Sequence, residues 1–244
     1  MSARATWAAA PAELSLDHGE VHIWRVNLDR PQPEVAALER HLSPDELERA
    51  ARFRFARDRR RYVVARGVLR ALLGRVLSIR AIDVCLQYGA QGKPALAHAH
   101  DSDVQFNLAH SHELALIALA CGAALGVDVE YQRELDDAER LARRFFSAQE
   151  VAALLAAPAA QRKTTFFRIW TRKEAFIKAT GKGLSQPLGA FNVMSPGGNV
   201  LSHVELEGKE TRWRLRDLSP DPAYGAALVV GPEGSASRLI QVQY

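Results

Sequence analysis

Two acidic side chains lie two positions apart in a short stretch that alternates between apolar and polar residues. Asp128 and Glu130 alternate there with Val127 and Val129. Because successive side chains of a β-strand point to opposite faces, a strand would place both carboxylates on one face and both valines in the core. Neighbouring carboxylates repel each other, and a hard divalent cation such as Mg2+ relieves that repulsion. A half-exposed edge strand with two solvated acids is the alternative interpretation.

A helical pattern later in the chain adds a third carboxylate and a lysine. Trp170, Glu174 and Lys178 are spaced four residues apart, so a helix places them along one face. A solvated Glu–Lys pair explains the two charges, but the large aromatic side chain on the same face favours partial burial. Asp128, Glu130 and Glu174 would then form an all-oxygen site for Mg2+. Lys178 would lie one turn beyond, where a developing phosphate charge needs a donor.

The rest of the chain has the composition of a globular protein with a substantial core. Its 244 residues are 48% hydrophobic and 25% charged, enough for one large domain or two small ones. The formal charge of +4 suits an anionic partner without choosing among nucleic acid, a phosphorylated metabolite and an acidic protein. Cys85 and Cys121 lack any metal-binding or redox spacing, which predicts free thiols in a reducing cytoplasm. The longest apolar run, Leu114 to Val129, is interrupted and too short for a membrane span, so we expect a soluble protein.

The order of predicted elements occurs twice along the chain. Each copy consists of a strand, a short capped helix, a long helix and further strands. Ser43 and Ser147 each begin a capping box, and the first long helix is predicted over Arg59–Leu77. The two copies have similar distances from the capping serine to a terminating glycine, Gly74 in the first and Gly181 in the second. The sequence therefore predicts two similar α+β halves that meet near residues 120–126, with a ligand site between them.

Several segments together resemble the signatures of one enzyme family. Residues 126–130 read G-V-D-V-E, and residues 170–178 read W-T-R-K-E-A-F-I-K. Further landmarks of the family are found at Gly92–Pro94, Phe106–Ser111, Phe145–Glu150 and Lys178–Ser185. In this order and spacing, over roughly residues 40–195, the chain resembles the Sfp-type 4′-phosphopantetheinyl transferases.

The resemblance implies a Mg2+-dependent enzyme that moves the 4′-phosphopantetheine arm of coenzyme A onto a serine of an apo carrier protein and releases adenosine 3′,5′-bisphosphate. It implies an α+β fold of two pseudo-twofold-related halves in one monomeric chain, with the active site at their interface. Residues 1–122 would bind the 3′-phosphate of coenzyme A, and residues 123–244 would carry the metal site and the catalytic helix. The carrier would be an acyl, peptidyl or polyketide carrier protein, as in secondary metabolite biosynthesis, with no nucleic acid or membrane involved.

The resemblance also implies roles for the residues of the acidic stretch and the helix. Asp128 and Glu130 would hold Mg2+ against the pyrophosphate of coenzyme A, and Glu174 would complete the site. Glu174, or a water on the metal, would take the proton from the attacking serine. Lys178 would neutralise charge on the phosphate under attack, since phosphoryl transfer needs mainly positioning and electrostatics. Glu150 either only closes the second capping box or also lies near the metal.

Four cationic side chains are implied for the 3′-phosphate of coenzyme A. Lys93 and His110 match positions that bind it in the family, and Arg49 and Arg66 come from the basic helices. Their ordinary alternatives are a solvated loop lysine, a strand-end histidine and arginines of a solvated helix face. One departure concerns Ala109, where some members carry serine, so a hydroxyl contact to the ligand would be lost.

Three other functions fit part of the sequence. A basic helix over Arg49–Arg75 would bind nucleic acid with salt-sensitive affinity and no metal, but the three carboxylates would repel a phosphate backbone. The same metal site would serve a Mg2+-dependent phosphohydrolase that acts on a nucleotide. A decayed transferase would bind coenzyme A without catalysis, and the four intact charged residues from Asp128 to Lys178 argue against it.

Overall fold

The computed structural model describes residues 7–183, 186–194, 202–206, 209–231 and 238–244. Leu184 and Ser185, at the end of the last family landmark, lie outside the described residues. The helices are α1 (Gln32–Glu39), α2 (Pro44–Ala51), α3 (Ala56–Leu77), α4 (Ala138–Phe145), α5 (Ala148–Ala156) and α6 (Ala159–Thr180). The strands are β1 (Ala8–Ala9), β2 (Glu20–Asn27), β3 (Leu86–Tyr88), β4 (Pro94–Leu96), β5 (Val104–Ser111), β6 (Leu114–Cys121), β7 (Leu125–Tyr131), β8 (Phe191–Asn192), β9 (Ser202–Leu206), β10 (Lys209–Leu218), β11 (Tyr224–Val230) and β12 (Arg238–Gln243).

The described strands form two large sheets and one hairpin, which confirms the predicted α+β class. The first sheet has the order β1-β12-β2-β6-β5, the second has the order β7-β11-β10-β9-β8, and β3 pairs with β4. The last strand, β12, runs parallel to β2 and so returns to the first sheet. Residues 238–243 are predicted to belong to the second half, which extends to residue 244, but the structure places them in the sheet of the first half. The boundary at residues 122 and 123 stays a prediction.

Each half contains one long helix that packs on its own sheet. Helices α3 and α6 are both 22 residues long. Helix α6 ends at Gly181, whose φ of 68° gives the left-handed cap that the sequence predicts. The predicted end of α3 at Leu77 is confirmed, but the choice of Gly74 as its terminating glycine is wrong, because Gly74 lies inside the helix and Ser78 forms the cap. Gly74 is needed for a different reason, since a Cβ there would lie 2.8 Å from the carbonyl oxygen of Ile79 as the chain turns back.

The two sheets meet along their edge strands, β5 and β7. Asn107 Oδ1 accepts a hydrogen bond from the Val127 amide at 2.9 Å, and Ser111 Oγ accepts one from the Tyr131 amide at 3.1 Å. Two side chains of β5 thus accept hydrogen bonds from backbone amides on the edge of β7 that is not paired within its own sheet. With that edge covered, Asp128 is only 4% exposed. The alternative of a half-exposed strand with solvated acids is therefore wrong for Asp128.

No helix in the described ranges combines the length and the apolar character that a membrane span requires.

Candidate active site

Helix α6 lies directly on strand β7, and a glycine makes that approach possible. A Cβ on Gly126 would lie 2.2 Å from the carbonyl oxygen of Ala175 and 2.4 Å from the amide nitrogen of Ala179. Any other side chain at this position would push the helix away from the strand. The close contact brings Glu174 and Lys178, on α6, towards Asp128, on β7, as the sequence predicts.

The two elements together form what we term the acidic cluster, which consists of Asp128, Glu130 and Glu174. The Lys178 ammonium donates to Asp128 Oδ1 at 2.6 Å. Burial raises the pKa of Asp128, and the charge of Lys178 opposes that rise. Burial, followed by the charge of Asp128, raises the pKa values of Glu130 and Glu174 as well. The three predicted carboxylates therefore lie within electrostatic reach of one another in a poorly hydrated region.

The donor set of this cluster fits a magnesium ion that is shared with a substrate. Among the described residues, no three His, Cys, Asp or Glu side chains are close enough to hold a metal without help. Mg2+ is commonly held by one or two carboxylates together with waters and substrate phosphates, so a complete protein cage is not required. Asp128 Oδ2 is buried and has no hydrogen-bond partner in the described part of the chain. Such an oxygen is costly to bury unless a ligand contacts it.

A cleft of about 520 Å³ is lined largely by α3 and the end of β5, where His110 directly precedes the residue that hydrogen-bonds Glu130, Ser111. Its walls include Arg49, Arg61, Tyr62, Arg66, Tyr88 and His110. Three of the four cationic residues predicted for the 3′-phosphate, Arg49, Arg66 and His110, are thus brought together there. Desolvation lowers the pKa of His110, and the charges of Lys178 and Arg61 lower it further. His110 on the cleft wall is therefore within electrostatic reach of Lys178, the partner of Asp128.

A buried ion cluster keeps the wall of this cleft positively charged. Arg66 contacts Glu46 Oε1 through Nε at 2.9 Å, and Arg70 contacts the other oxygen of the same carboxylate. Two guanidinium groups share one carboxylate, so one positive charge remains uncompensated by Glu46. Arg66 also donates to the Tyr88 hydroxyl at 2.7 Å, which fixes its orientation at the cleft. The arrangement favours an anionic ligand.

Lys93 does not line this cleft. Its ammonium donates to the carbonyl oxygens of Leu125 at 3.0 Å and Lys178 at 2.6 Å. Burial lowers the pKa of Lys93 to about 8. In this structure Lys93 connects the start of β7 to the last turn of α6, and its predicted contact with the 3′-phosphate stays a prediction.

Comparison with known proteins identifies the family of this chain. Residues 24–122 match the family model described as the 4′-phosphopantetheinyl transferase N-terminal domain, and residues 124–229 match that of the 4′-phosphopantetheinyl transferase superfamily. The chain is 40% identical over 232 residues to the 4′-phosphopantetheinyl transferase HetI of Nostoc sp., covering 94% of this chain and 95% of that one. The chain belongs to the 4′-phosphopantetheinyl transferase superfamily. It is also 28% identical to the 4′-phosphopantetheinyl transferase Sfp of Bacillus subtilis, over 91% of this chain and 97% of that one. The Sfp-type resemblance and the enzyme class are thereby confirmed.

The structure gives Glu150 of this transferase a structural role. Glu150 Oε2 accepts from the Ser147 amide at 2.8 Å, which closes the capping box, and Oε1 accepts from the Val193 amide at 2.8 Å. Lys173 Nζ lies 2.7 Å from Oε2, and both side chains are fully buried. The same ammonium donates to the carbonyl oxygens of Leu188 and Phe191, each at 2.7 Å. Lys173, the first of the two lysines in residues 170–178, therefore ties α6 to α5 and β8, whereas Lys178 contacts Asp128.

Replacing Lys173 with methionine should lower the free energy of unfolding by about 3–5 kcal/mol, because the Glu150 carboxylate would stay buried without its partner. Lys163→Met is the matched control, since Lys163 is on the same helix but pairs with Glu134 in a largely exposed position. That control should change stability by about 0.5 kcal/mol or less. Denaturant unfolding of both variants measures the difference, and equal losses would contradict the structural role of the buried pair.

Sequence reasoning missed several residues that shape the site. Arg61 and Tyr62 line the cleft one turn before Arg66, and helical spacing from Arg66 identifies them. Glu46 completes the capping box that Ser43 begins, and it also holds Arg66 and Arg70. That second role joins residues twenty or more positions apart, and no local pattern indicates it.

Proposed function

We propose that this transferase moves the 4′-phosphopantetheine group of coenzyme A to a serine of an apo carrier protein, requires Mg2+ and releases adenosine 3′,5′-bisphosphate. The observation that carries the proposal is the acidic cluster, in which a buried oxygen of Asp128 has no hydrogen-bond partner among the described residues. The proposal includes acyl, peptidyl or polyketide carrier proteins as acceptors. It also includes action as a cytoplasmic monomer, since both sides of the site come from one chain.

The acidic cluster fits the binding of Mg2+ to the pyrophosphate of coenzyme A. Asp128 and Glu130 would hold the ion, with Glu174 as the third carboxylate. When bound there, Mg2+ supplies positive charge to the pyrophosphate and to the phosphate that is attacked. The raised pKa values of these carboxylates support this assignment, because a divalent cation removes the electrostatic cost that raises them.

Two residues of α6 have the chemistry for the transfer itself. Glu174 is half-buried and burial raises its pKa, which moves a carboxylate towards the range of a general base for the carrier serine. Lys178 now pairs with Asp128 and its side chain is 30% exposed, so its ammonium can reach a phosphate oxygen once a cation occupies the cluster. Positioning and charge of this kind suffice for phosphoryl transfer without a covalent nucleophile.

In the absence of metal, the contribution of Glu174 to stability should fall as pH rises above the ordinary carboxylate range. The pKa of Glu174 is raised from 4.5, so the folded protein binds more protons than the unfolded chain in this window. Stability then decreases with pH until the group has ionised in both states. Glu174→Gln should lose less stability than the unchanged protein between about pH 5 and pH 7 in the presence of a chelator. Denaturant unfolding at both pH values checks this, and identical pH profiles would contradict it.

Arg49→Ala should raise the KM for coenzyme A by about tenfold or more, the scale of one lost charge-assisted hydrogen bond to a phosphate. The substitution should have much less effect when the substrate is 3′-dephospho-coenzyme A, which lacks the group that Arg49 is proposed to bind. Arg52→Ala is the control, because Arg52 follows the same helix but pairs with the exposed Glu48. An equal change with both substrates would contradict the assignment of the cleft to the 3′-phosphate.

The proposed reaction is tested by measuring both products in one incubation. The protein, coenzyme A, Mg2+ and an apo carrier protein are mixed, and adenosine 3′,5′-bisphosphate is quantified with the modified carrier. We expect equal amounts of the two products and none of either with a chelator. Release of a nucleotide product without carrier modification would instead support a phosphohydrolase.

A further inference from the structure

We propose that Ser111 is a positioning residue that orients Glu130 for metal binding across the boundary between the two sheets. The inference rests on the metal site of the proposed function and adds a residue of the first sheet to it. Ser111 is the last residue of β5, and its hydroxyl lies 2.9 Å from Glu130 Oε2.

The hydrogen bonds of the Ser111 hydroxyl define the direction of its single proton. The Tyr131 amide donates to Ser111 Oγ at 3.1 Å, so Oγ is the acceptor in that bond. A serine hydroxyl has one hydrogen to donate, and it is therefore free to donate to Glu130 Oε2. Glu130 is held through one carboxylate oxygen, and the other oxygen remains for a cation.

The surrounding turn keeps this hydroxyl in place. Ser111 pairs with Leu114 across a two-residue turn, in which His112 adopts a φ of 52°. The ring of His112 packs on the ring of Tyr131 with a centroid distance of 4.3 Å. The end of β5 is thus packed against the residue that directly follows Glu130, which limits the movement of Ser111 relative to β7.

A second residue of β5, Asn107, shows which contact is particular to Ser111. Asn107 is four residues before Ser111 and accepts from the Val127 amide, four residues before Tyr131. Asn107 therefore makes the same kind of bond between the two edge strands without contacting a carboxylate of the cluster. Only Ser111, of these two residues, combines the bond to a β7 amide with a bond to a predicted metal ligand.

Loss of the hydroxyl should weaken metal binding. A hydrogen-bond partner of a ligating carboxylate restricts its rotation, and removal of such a partner typically lowers metal affinity by about 10- to 100-fold. Ser111→Ala removes the donor to Glu130, whereas Ser111→Thr keeps a hydroxyl on the same carbon. The threonine variant should therefore bind metal nearly as well as the unchanged protein.

The test uses Mn2+ as a paramagnetic probe, since carboxylate sites that bind Mg2+ also accept Mn2+. Mn2+ is titrated into the full chain with saturating coenzyme A, and free Mn2+ is measured by electron paramagnetic resonance.

Ser102→Ala is the matched control, because Ser102 lies just before β5 and accepts only from the Val104 amide among the bonds described for it. We expect the Kd for Mn2+ to rise about tenfold or more in Ser111→Ala and to stay near the original value in Ser111→Thr and Ser102→Ala. The Kd for coenzyme A, measured with a chelator, should be unchanged in all three.

Three results would overturn the inference, and they are distinguishable. Unchanged Mn2+ affinity in Ser111→Ala would reject the positioning role and leave the proposed function intact. A matching loss of coenzyme A affinity without metal would show that Ser111 only maintains the structure. No Mn2+ binding by the unchanged protein would reject the metal site of the proposed function, and this inference with it.

Discussion

Asp128→Asn is expected to lower the rate of carrier modification by about 10³-fold or more, the scale of losing a group that organises charge in phosphoryl transfer. The substitution keeps the shape of the side chain but removes its charge and one of the proposed metal ligands. The fold should survive, because burial raises the pKa of Asp128 and thus disfavours its ionised form. Lys178 loses its partner but is 30% exposed, so water can solvate its ammonium. Stability at neutral pH should therefore be unchanged or higher.

Activity and unfolding must be measured on the same preparation of this variant. Asp136→Asn serves as the control, since Asp136 is exposed and lies outside the acidic cluster. The control should retain both activity and stability. Full activity of Asp128→Asn would contradict the metal assignment, and loss of activity together with unfolding would assign Asp128 to the fold.

Gly126→Ala is expected to destabilise the protein by about 3 kcal/mol or more and to remove most activity in the fraction that folds. The added methyl group would lie 2.2 Å from the carbonyl oxygen of Ala175, which belongs to helix backbone and cannot rotate away. Relief requires that α6 move off β7. That movement would separate Glu174 and Lys178 from Asp128, so activity should fall further than the unfolded fraction explains.

Gly189→Ala is the matched control for this prediction. A Cβ on Gly189 would lie 3.6 Å from its nearest neighbour, the Phe146 carbonyl oxygen, which is an ordinary contact distance. We expect near-normal stability and activity. Denaturant unfolding and transfer assays at a temperature where both variants are folded check the pair, and equal behaviour would contradict the account of how α6 is positioned.

The grouping of the four charged residues of the candidate site could be predicted because they lie within short, regular elements. Alternation within one strand places Asp128 and Glu130 together, and a four-residue period on one helix adds Glu174 and Lys178. Local start and stop signals at Ser147 and Gly181 are also confirmed, because capping depends on neighbouring backbone groups.

The contacts between elements could not be predicted in the same way. The pairing of Glu150 with Lys173 and the bond from Asn107 to the Val127 amide join residues that are distant in sequence. Such contacts depend on how the sheets and helices pack, and charge or polarity alone allows many partners. The return of β12 to the first sheet is of the same kind, since alternation predicts a strand but not its neighbour. Gly74 is wrongly predicted as a terminating glycine, because the need for glycine there comes from the close approach of the Ile79 carbonyl oxygen and not from a helix cap.

The most direct test of the proposed function is the mass of the carrier protein after incubation with the enzyme, coenzyme A and Mg2+. We predict that intact-protein mass spectrometry will show the addition of one phosphopantetheine group, which peptide analysis will locate on a single serine. The addition should be absent with a chelator, with Asp128→Asn and with a carrier whose acceptor serine is replaced by alanine. No mass increase on any of several acyl, peptidyl and polyketide carrier proteins would contradict the proposed function.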